Sequence, residues 1–125
     1  MIVLAIMFDA IKEFVRSHHA ALAGKIIVDP SNPIAPDGKG GFTRTLPADQ
    51  SSGQFIARLL PEGAELVKAF GTTAAASLET GANRIPDRVA LFYATDYPEA
   101  GRAVAKLITA SGFVPANAGG INQSE

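Results

Sequence analysis

Ile2-Val3-Leu4-Ala5-Ile6, a helical stretch, Gly24 and then Lys25-Ile26-Ile27-Val28-Asp29 is the passage that decides the fold. Both apolar runs lack polar alternation, the pattern of strands covered on two faces in a parallel sheet. Between them Ile11, Phe14, Val15, His18 and Leu22 recur at helical spacing, so one face of a helix from Asp9 to about Ala23 is apolar. Asp9 is placed to cap that helix and Gly24 to end it in a left-handed conformation. Strand, helix and strand in this order imply a right-handed crossover between parallel neighbours.

The rest of the chain repeats that rhythm. Pro30 to Gln50 is rich in Pro, Gly, Asp and Asn and reads as a long irregular connection, a kind that is usually functional or mobile. Ser51 to Gln54 forms a capping pattern ahead of Phe55, Ile56, Leu59 and Leu60. A third strand is expected at 65–70, a short Ala-rich helix at 73–78, a fourth strand at 88–94 and a fifth at 113–118. Asp96 and Glu99 precede a helix whose Ala100, Val104, Leu107 and Ile108 face the sheet. Pro115 removes a ladder donor, which puts the fifth strand at an edge. The expected fold is α/β: a partial doubly wound, mostly parallel sheet of about five strands with helices on both faces, in one domain over 1–125.

Composition narrows the classes of function. With 47% apolar and 18% charged residues in 125, the chain can bury a core. Its formal charge of −1 and scattered basic residues give no footprint for nucleic acid or an anionic membrane. Absent cysteines and two histidines leave no zinc cluster or thiol nucleophile. The first ten residues lack the basic flank of a signal peptide and are too few to span a bilayer, so a cytoplasmic protein is expected. His18 and His19 are adjacent on a helix, about 100° apart, and cannot chelate one ion together. Residues 36–41, Pro-Asp-Gly-Lys-Gly-Gly, have a phosphate-loop flavour but the wrong spacing and context, and read as a surface loop. Asp29 at a strand end suits a turn or cap better than catalysis, and Tyr93 and Tyr97 suit packing. No Ser-His-Asp or paired-carboxylate constellation occurs.

Ligands of open α/β sheets bind beyond the carboxyl ends of the strands. That rule selects residues 5–8, 29–33, 70–73, 94–96 and 118–120. Within them Asp29-Pro30-Ser31-Asn32-Pro33 sets polar groups between prolines that fix the backbone. Phe70-Gly71-Thr72-Thr73 puts a glycine and two hydroxyls at a strand-to-helix turn, and Ala118-Gly119-Gly120 permits close approach of a ring.

Lys25-Ile26-Ile27-Val28-Asp29 with Ser31-Asn32-Pro33, then Val67-Lys68-Ala69-Phe70-Gly71-Thr72, then Gly112-Phe113 with Ala118-Gly119, resembles the NADP-dependent coenzyme F-420 (deazaflavin) reductase family and the related cytosolic domains of membrane ferric reductases. The resemblance covers nearly the whole chain but only the carboxyl-side part of a family member. It implies a Rossmann-like domain, truncated, without the family's glycine-rich loop: no Gly-x-Gly-x-x-Gly occurs in these residues. It implies nicotinamide-side contacts of NADP, with Ala5, Ile6 and Met7 beside the ribose and ring, and Asn32 and Pro33 lining the same cleft. Ala69, Phe70 and Thr72 would lie near the carboxamide and a deazaflavin- or flavin-type acceptor ring, and Gly119 would close the far side. The family often has proline at the Met7 position and asparagine at that of Gly71, and its members usually continue beyond the tail that ends here at Glu125. Its hydride step needs no side-chain acid or base, only two rings held in near contact.

Dinucleotide binding by this chain alone is therefore expected to be weak or absent, and the chain alone inactive. The alternative expectation is a non-catalytic homo-oligomerising module, or a fragment of a longer reductase. Strand Ile2–Ile6, left without its second neighbour, would join two copies edge to edge.

Overall fold

The computed structural model describes residues 1–124, so Glu125 lies outside the described residues. The expected five-stranded sheet is present. It has the order β1-β2-β5-β6-β7, with β1 at Ile2–Val3, β2 at Ile26–Asp29, β5 at Glu65–Ala69, β6 at Ala90–Ala94 and β7 at Val114–Gly119. β1, β2 and β5 are parallel neighbours, and β7 runs parallel to β6. β6 meets β5 antiparallel, through Lys68 opposite Ala94 and Ala69 opposite Tyr93. The sheet is thus mostly parallel, with one reversal at the β5–β6 step. β7, which carries Pro115, lies at an edge, where a missing N–H costs no ladder bond.

Helices cover both faces because the strands are apolar on both. On one face α1 (Phe8–Leu22) and α2 (Ser52–Ala57) bury Phe8, Ile11, Val15, Leu22 and Ile56 against Leu4, Ile27 and Leu66. On the other, α4 (Pro98–Ala110) buries Ala100, Val104 and Ile108 against Val28, Val67 and Leu91. α3 (Ala75–Gly81) has no fully buried residue and touches that second core through Leu78. Phe14, on the expected apolar face of α1, is half-buried, while His18 is exposed and stacks on its ring at 4.3 Å. Among the described residues no helix is long and apolar enough to cross a membrane, and no cluster of metal-ligating residues occurs.

Four local expectations are corrected. β1 ends at Val3, since the chain turns inward: Leu4 N–H donates to Val28 O at 2.8 Å, and the Leu4 side chain sits in the core. Asp9 lies in the first turn of α1, whose N-cap is Met7. Burial of Phe8 against the Phe55 ring, centroids 5.5 Å apart, moves the cap two residues earlier, from Asp9 to Met7, and Asp9 still complements the positive end of the helix dipole. Asp96 does not cap α4, where Tyr97 is N-cap and Pro98 starts the first turn. Asp96 instead accepts the Ile121 N–H at 2.9 Å, tethering the 3-10 turn Ile121–Gln123 to the sheet. Ser51 does cap α2, accepting from Gln54 N at 3.1 Å.

The fourth correction concerns the long connection. It carries a hairpin of its own, β3 (Ile34–Pro36) against β4 (Phe42–Arg44). Its turn is the glycine-rich stretch 36–41, where Gly38 and Gly40 adopt φ of 74° and 91°. The Asp37 carboxylate accepts from Lys39 N at 2.7 Å and Gly41 N at 2.9 Å. Those two N–H donors hold its pKa below the usual carboxylate value.

Candidate functional site

The carboxyl ends of β1, β2 and β5 lie side by side, and the segments leaving them press together. Gly71 shows how closely: a Cβ there would stand 2.7 Å from Pro30 O and 3.3 Å from Asn32 Oδ1. Asn32 Nδ2 donates to Gly71 O at 2.8 Å, closing the contact between the two loops. Phe70, just before it, holds φ at 67°, a left-handed conformation that costs a non-glycine residue about 1–2 kcal/mol. Strain of this kind persists where surrounding structure enforces it, commonly at binding sites.

Two concavities open on either side of the Asn32–Gly71 contact. The first is a groove of about 1290 Å³, including the solvent at its mouth, lined by Ala5, Ile6, Met7, Asn32 and Phe70 together with Ser31 and the start of α1. Its walls are apolar, and Met7 is 75% exposed along it. The second is a smaller, half-open pocket of about 410 Å³, likewise including the solvent at its mouth, whose lining includes Asn32, Lys68, Ala69, Thr72, Phe92 and Gln123. Of the residues singled out from sequence, five therefore line the first concavity, and Ala69 and Thr72 line the second, which Asn32 shares. Pro33 and Gly119 line neither. Pro33 O instead accepts from Thr45 N at 2.7 Å at the base of the hairpin. Gly119 follows Ala118, which does line the second cavity, and its carbonyl accepts from Thr95 N at 3.0 Å.

Beneath these concavities lies a buried polar cluster in which Asp29 takes the turn role expected of it, while its pairing with Lys68 was not anticipated. Asp29 and Lys68 are cross-strand partners at the ends of β2 and β5. Lys68 Nζ donates to Asp29 Oδ2 at 2.7 Å and to Ser31 O at 2.5 Å, while Asp29 Oδ1 accepts from Ser31 N at 2.8 Å. Asp29 is fully buried and Lys68 only 9% exposed. The Ser31 hydroxyl is buried without a hydrogen-bond partner among the described residues. The cluster locks the 29–31 backbone onto β5 and so fixes the loop that presents Asn32. A signal for it was present: Lys68 interrupts an apolar strand on the same side as buried Leu66, and an inward lysine requires a counter-charge. Phe92 and Gln123, reached through the β5–β6 reversal and the 3-10 turn, had no such signal.

No protein-family model and no curated protein matches the chain. Solved structures do. A hypothetical protein from Sinorhizobium meliloti superposes with a TM-score of 0.86 at 31% identity, over 98% of this chain and 58% of that one. A protein from Arthrobacter sp. FB24, provisionally described as an F420-dependent NADP reductase, superposes with a TM-score of 0.82 at 26% identity, over 95% of this chain and 54% of that one. The chain spans a little over half the length of either. Its fold is Rossmann-like, of the kind that the reductase-type neighbour shares, and the likeness to an oxidoreductase holds at that level.

Proposed function

We propose that the groove over β1, β2 and β5 is the nicotinamide side of an NADP-dependent hydride-transfer site with a deazaflavin- or flavin-type acceptor. The observation that carries the reading is the convergence of three separate segments, residues 5–7, Asn32 and Phe70, on one apolar groove at the strand ends. The description of the Arthrobacter neighbour supports the same class of chemistry. The groove fits one end of the cofactor. Ile6 and Met7 offer apolar surface to a ring, and Asn32 offers a fixed polar group beside it. The pyrophosphate end finds no counterpart, since these residues contain no glycine-rich phosphate turn. When bound, the cofactor supplies the hydride, and this chain's residues orient the ring.

The test is an NMR titration of the 125-residue chain with NADPH and with reduced nicotinamide mononucleotide. Both are expected to shift the amides of Ile6, Met7, Asn32 and Phe70, with millimolar saturation. No shift of these amides would overturn the nicotinamide assignment. Saturation by NADPH at micromolar concentration would overturn the claim that the phosphate grip is missing.

A second reading, a homo-oligomer through β1, has its own observation. Among the described residues β1 is a sheet edge paired only with β2, and Met1, Val3 and Met7 are 52%, 48% and 75% exposed. Such an edge invites pairing with a second copy. Since Leu4 is in the core, Val3→Lys is the variant that probes the edge. The reading requires a dimer by light scattering that Val3→Lys turns into a monomer. A wild-type monomer at the concentrations used for NMR, or a dimer unaffected by Val3→Lys, would overturn it.

A further inference from the structure

We infer that the hollow formed by residues 84–89 is a binding site for a phosphate monoester, with Arg84 and Arg88 gripping the phosphate. The loop that builds it is pinned at both ends to the start of β7. Asn83 N donates to Gly112 O at 2.9 Å, and Val114 N donates to Val89 O at 2.9 Å. Asn83 holds φ at 55°, a left-handed conformation that asparagine tolerates better than most residues. Between these pins Arg84, Ile85, Pro86, Asp87, Arg88 and Val89 surround a hollow of about 480 Å³, including the solvent at its mouth. A loop fixed at both ends gives up little freedom when a ligand arrives.

Charge and geometry choose the ligand. Two guanidinium groups line the hollow, and neither makes a hydrogen bond or an ion pair among the described residues. Asp87 lines it too and is paired with neither arginine, so the hollow holds two positive charges against one negative. A guanidinium presents a planar fork of N–H donors, and a carboxylate, with two oxygens, is satisfied by a single fork. A phosphate monoester offers three terminal oxygens and up to two negative charges, so it can engage both arginines at once. Ile85, 89% exposed, gives the organic part of the ester an apolar surface beside Pro86 and Val89. Asp87 opposes the anion and keeps its affinity modest.

Because β6 runs antiparallel to β5, the loop that precedes β6 stands beyond the carboxyl end of β5. The groove over β1, β2 and β5 opens at that end of the sheet as well. None of the residues that line the groove belongs to 84–89, so the phosphate site does not rest on the nicotinamide reading.

Phenyl phosphate, inorganic phosphate and benzoate serve as probes, read by NMR on the full chain with the arginine Nε–H signals followed directly. Phenyl phosphate is expected to shift Arg84 and Arg88 with saturation, and to bind about fivefold more tightly than inorganic phosphate and about tenfold more tightly than benzoate. Arg84→Gln and Arg88→Gln should each weaken it about fivefold or more, and Asp87→Asn should tighten it about twofold or more. All three positions are exposed, so the variants keep the folded spectrum. Sedimentation with phosphatidic acid vesicles separates the two sources of such a group. Sedimentation that Arg84→Gln abolishes assigns a lipid headgroup, whereas protein left in solution while phenyl phosphate binds assigns a soluble ester. No saturable shift of either arginine, benzoate bound as tightly as phenyl phosphate, or an arginine variant with undiminished affinity would overturn the inference. So would an Asp87→Asn variant that binds phenyl phosphate no more tightly than the wild type.

Discussion

Replacing Lys68 with methionine is expected to bring the protein close to unfolding, although the side chain is replaced by one of similar length. The substitution strands the Asp29 carboxylate, fully buried, with Ser31 N at 2.8 Å as its remaining donor among the described residues. Removing one member of a buried ion pair costs about 3–5 kcal/mol, because the other charge is left uncompensated. The Ser31 carbonyl loses its 2.5 Å donor as well. Against a domain stability of about 5–15 kcal/mol this is a large fraction. Asp29→Asn should be milder, since the ammonium borders a cavity open to solvent. The double variant, Asp29→Asn with Lys68→Met, buries no charge and should recover about 2 kcal/mol or more relative to the sum of the single changes. Urea denaturation followed by circular dichroism reads this directly. With a slope of about 2 kcal/mol per molar, the Lys68→Met midpoint should fall by about 1.5–2.5 M. A fall of less than about 0.5 M on that slope, or strict additivity in the double variant, would refute the claim that this pair fixes the 29–31 loop.

Three further expectations follow from particular contacts. Gly71→Ala places a Cβ 2.7 Å from Pro30 O and should cost about 1–3 kcal/mol by thermal melting; an unchanged melting temperature would show that the two loops are not pressed together as described. Ser31→Ala removes a buried hydroxyl that has no partner among the described residues, so stability should hold or rise by up to about 1 kcal/mol, and a loss beyond about 1 kcal/mol in urea melts would reveal a partner. Asp37, whose pKa is lowered by the Lys39 and Gly41 amides, orders the hairpin turn above the ordinary carboxylate value of 3.8. A lowered folded-state pKa means that this contribution is present above 3.8 and is lost as pH falls through the lower value, so exchange of the Lys39 and Gly41 amides should gain protection as pH rises through that range in the wild type but not in Asp37→Ala.

The fold was legible where period and composition agreed. The apolar cores of 26–29 and 65–69, Ile26-Ile27-Val28 and Leu66-Val67, marked strands covered on both faces, and the spacing of Ile11, Val15 and Leu22 marked one face of a helix. What escaped had non-local causes. The β5–β6 reversal depends on how a chain segment returns to the sheet, and an apolar strand reads alike in either direction. The hairpin at 34–44 is held by one aspartate and two left-handed glycines, a composition shared with irregular loops. Asp96 and Asp9 sit where caps belong, yet burial of Phe8 and the pull of Ile121 N–H reassign them. Strand-end logic drew segments 5–8, 29–33 and 70–73 to one end of the sheet, because it depends only on strand order, and Ala5, Ile6, Met7, Asn32 and Phe70 from them line one groove there. The Asp29–Lys68 pair needed the register between β2 and β5, which a sequence does not state.

The most direct measurement of the proposed function is the titration of the chain with reduced nicotinamide mononucleotide, which carries the nicotinamide end without the adenosine. The account predicts saturable shifts of Ile6, Met7, Asn32 and Phe70, an affinity close to that of NADPH, and loss of both in Asn32→Ala. An unperturbed groove at saturating ligand, or NADPH binding a hundredfold tighter than the mononucleotide, would contradict it.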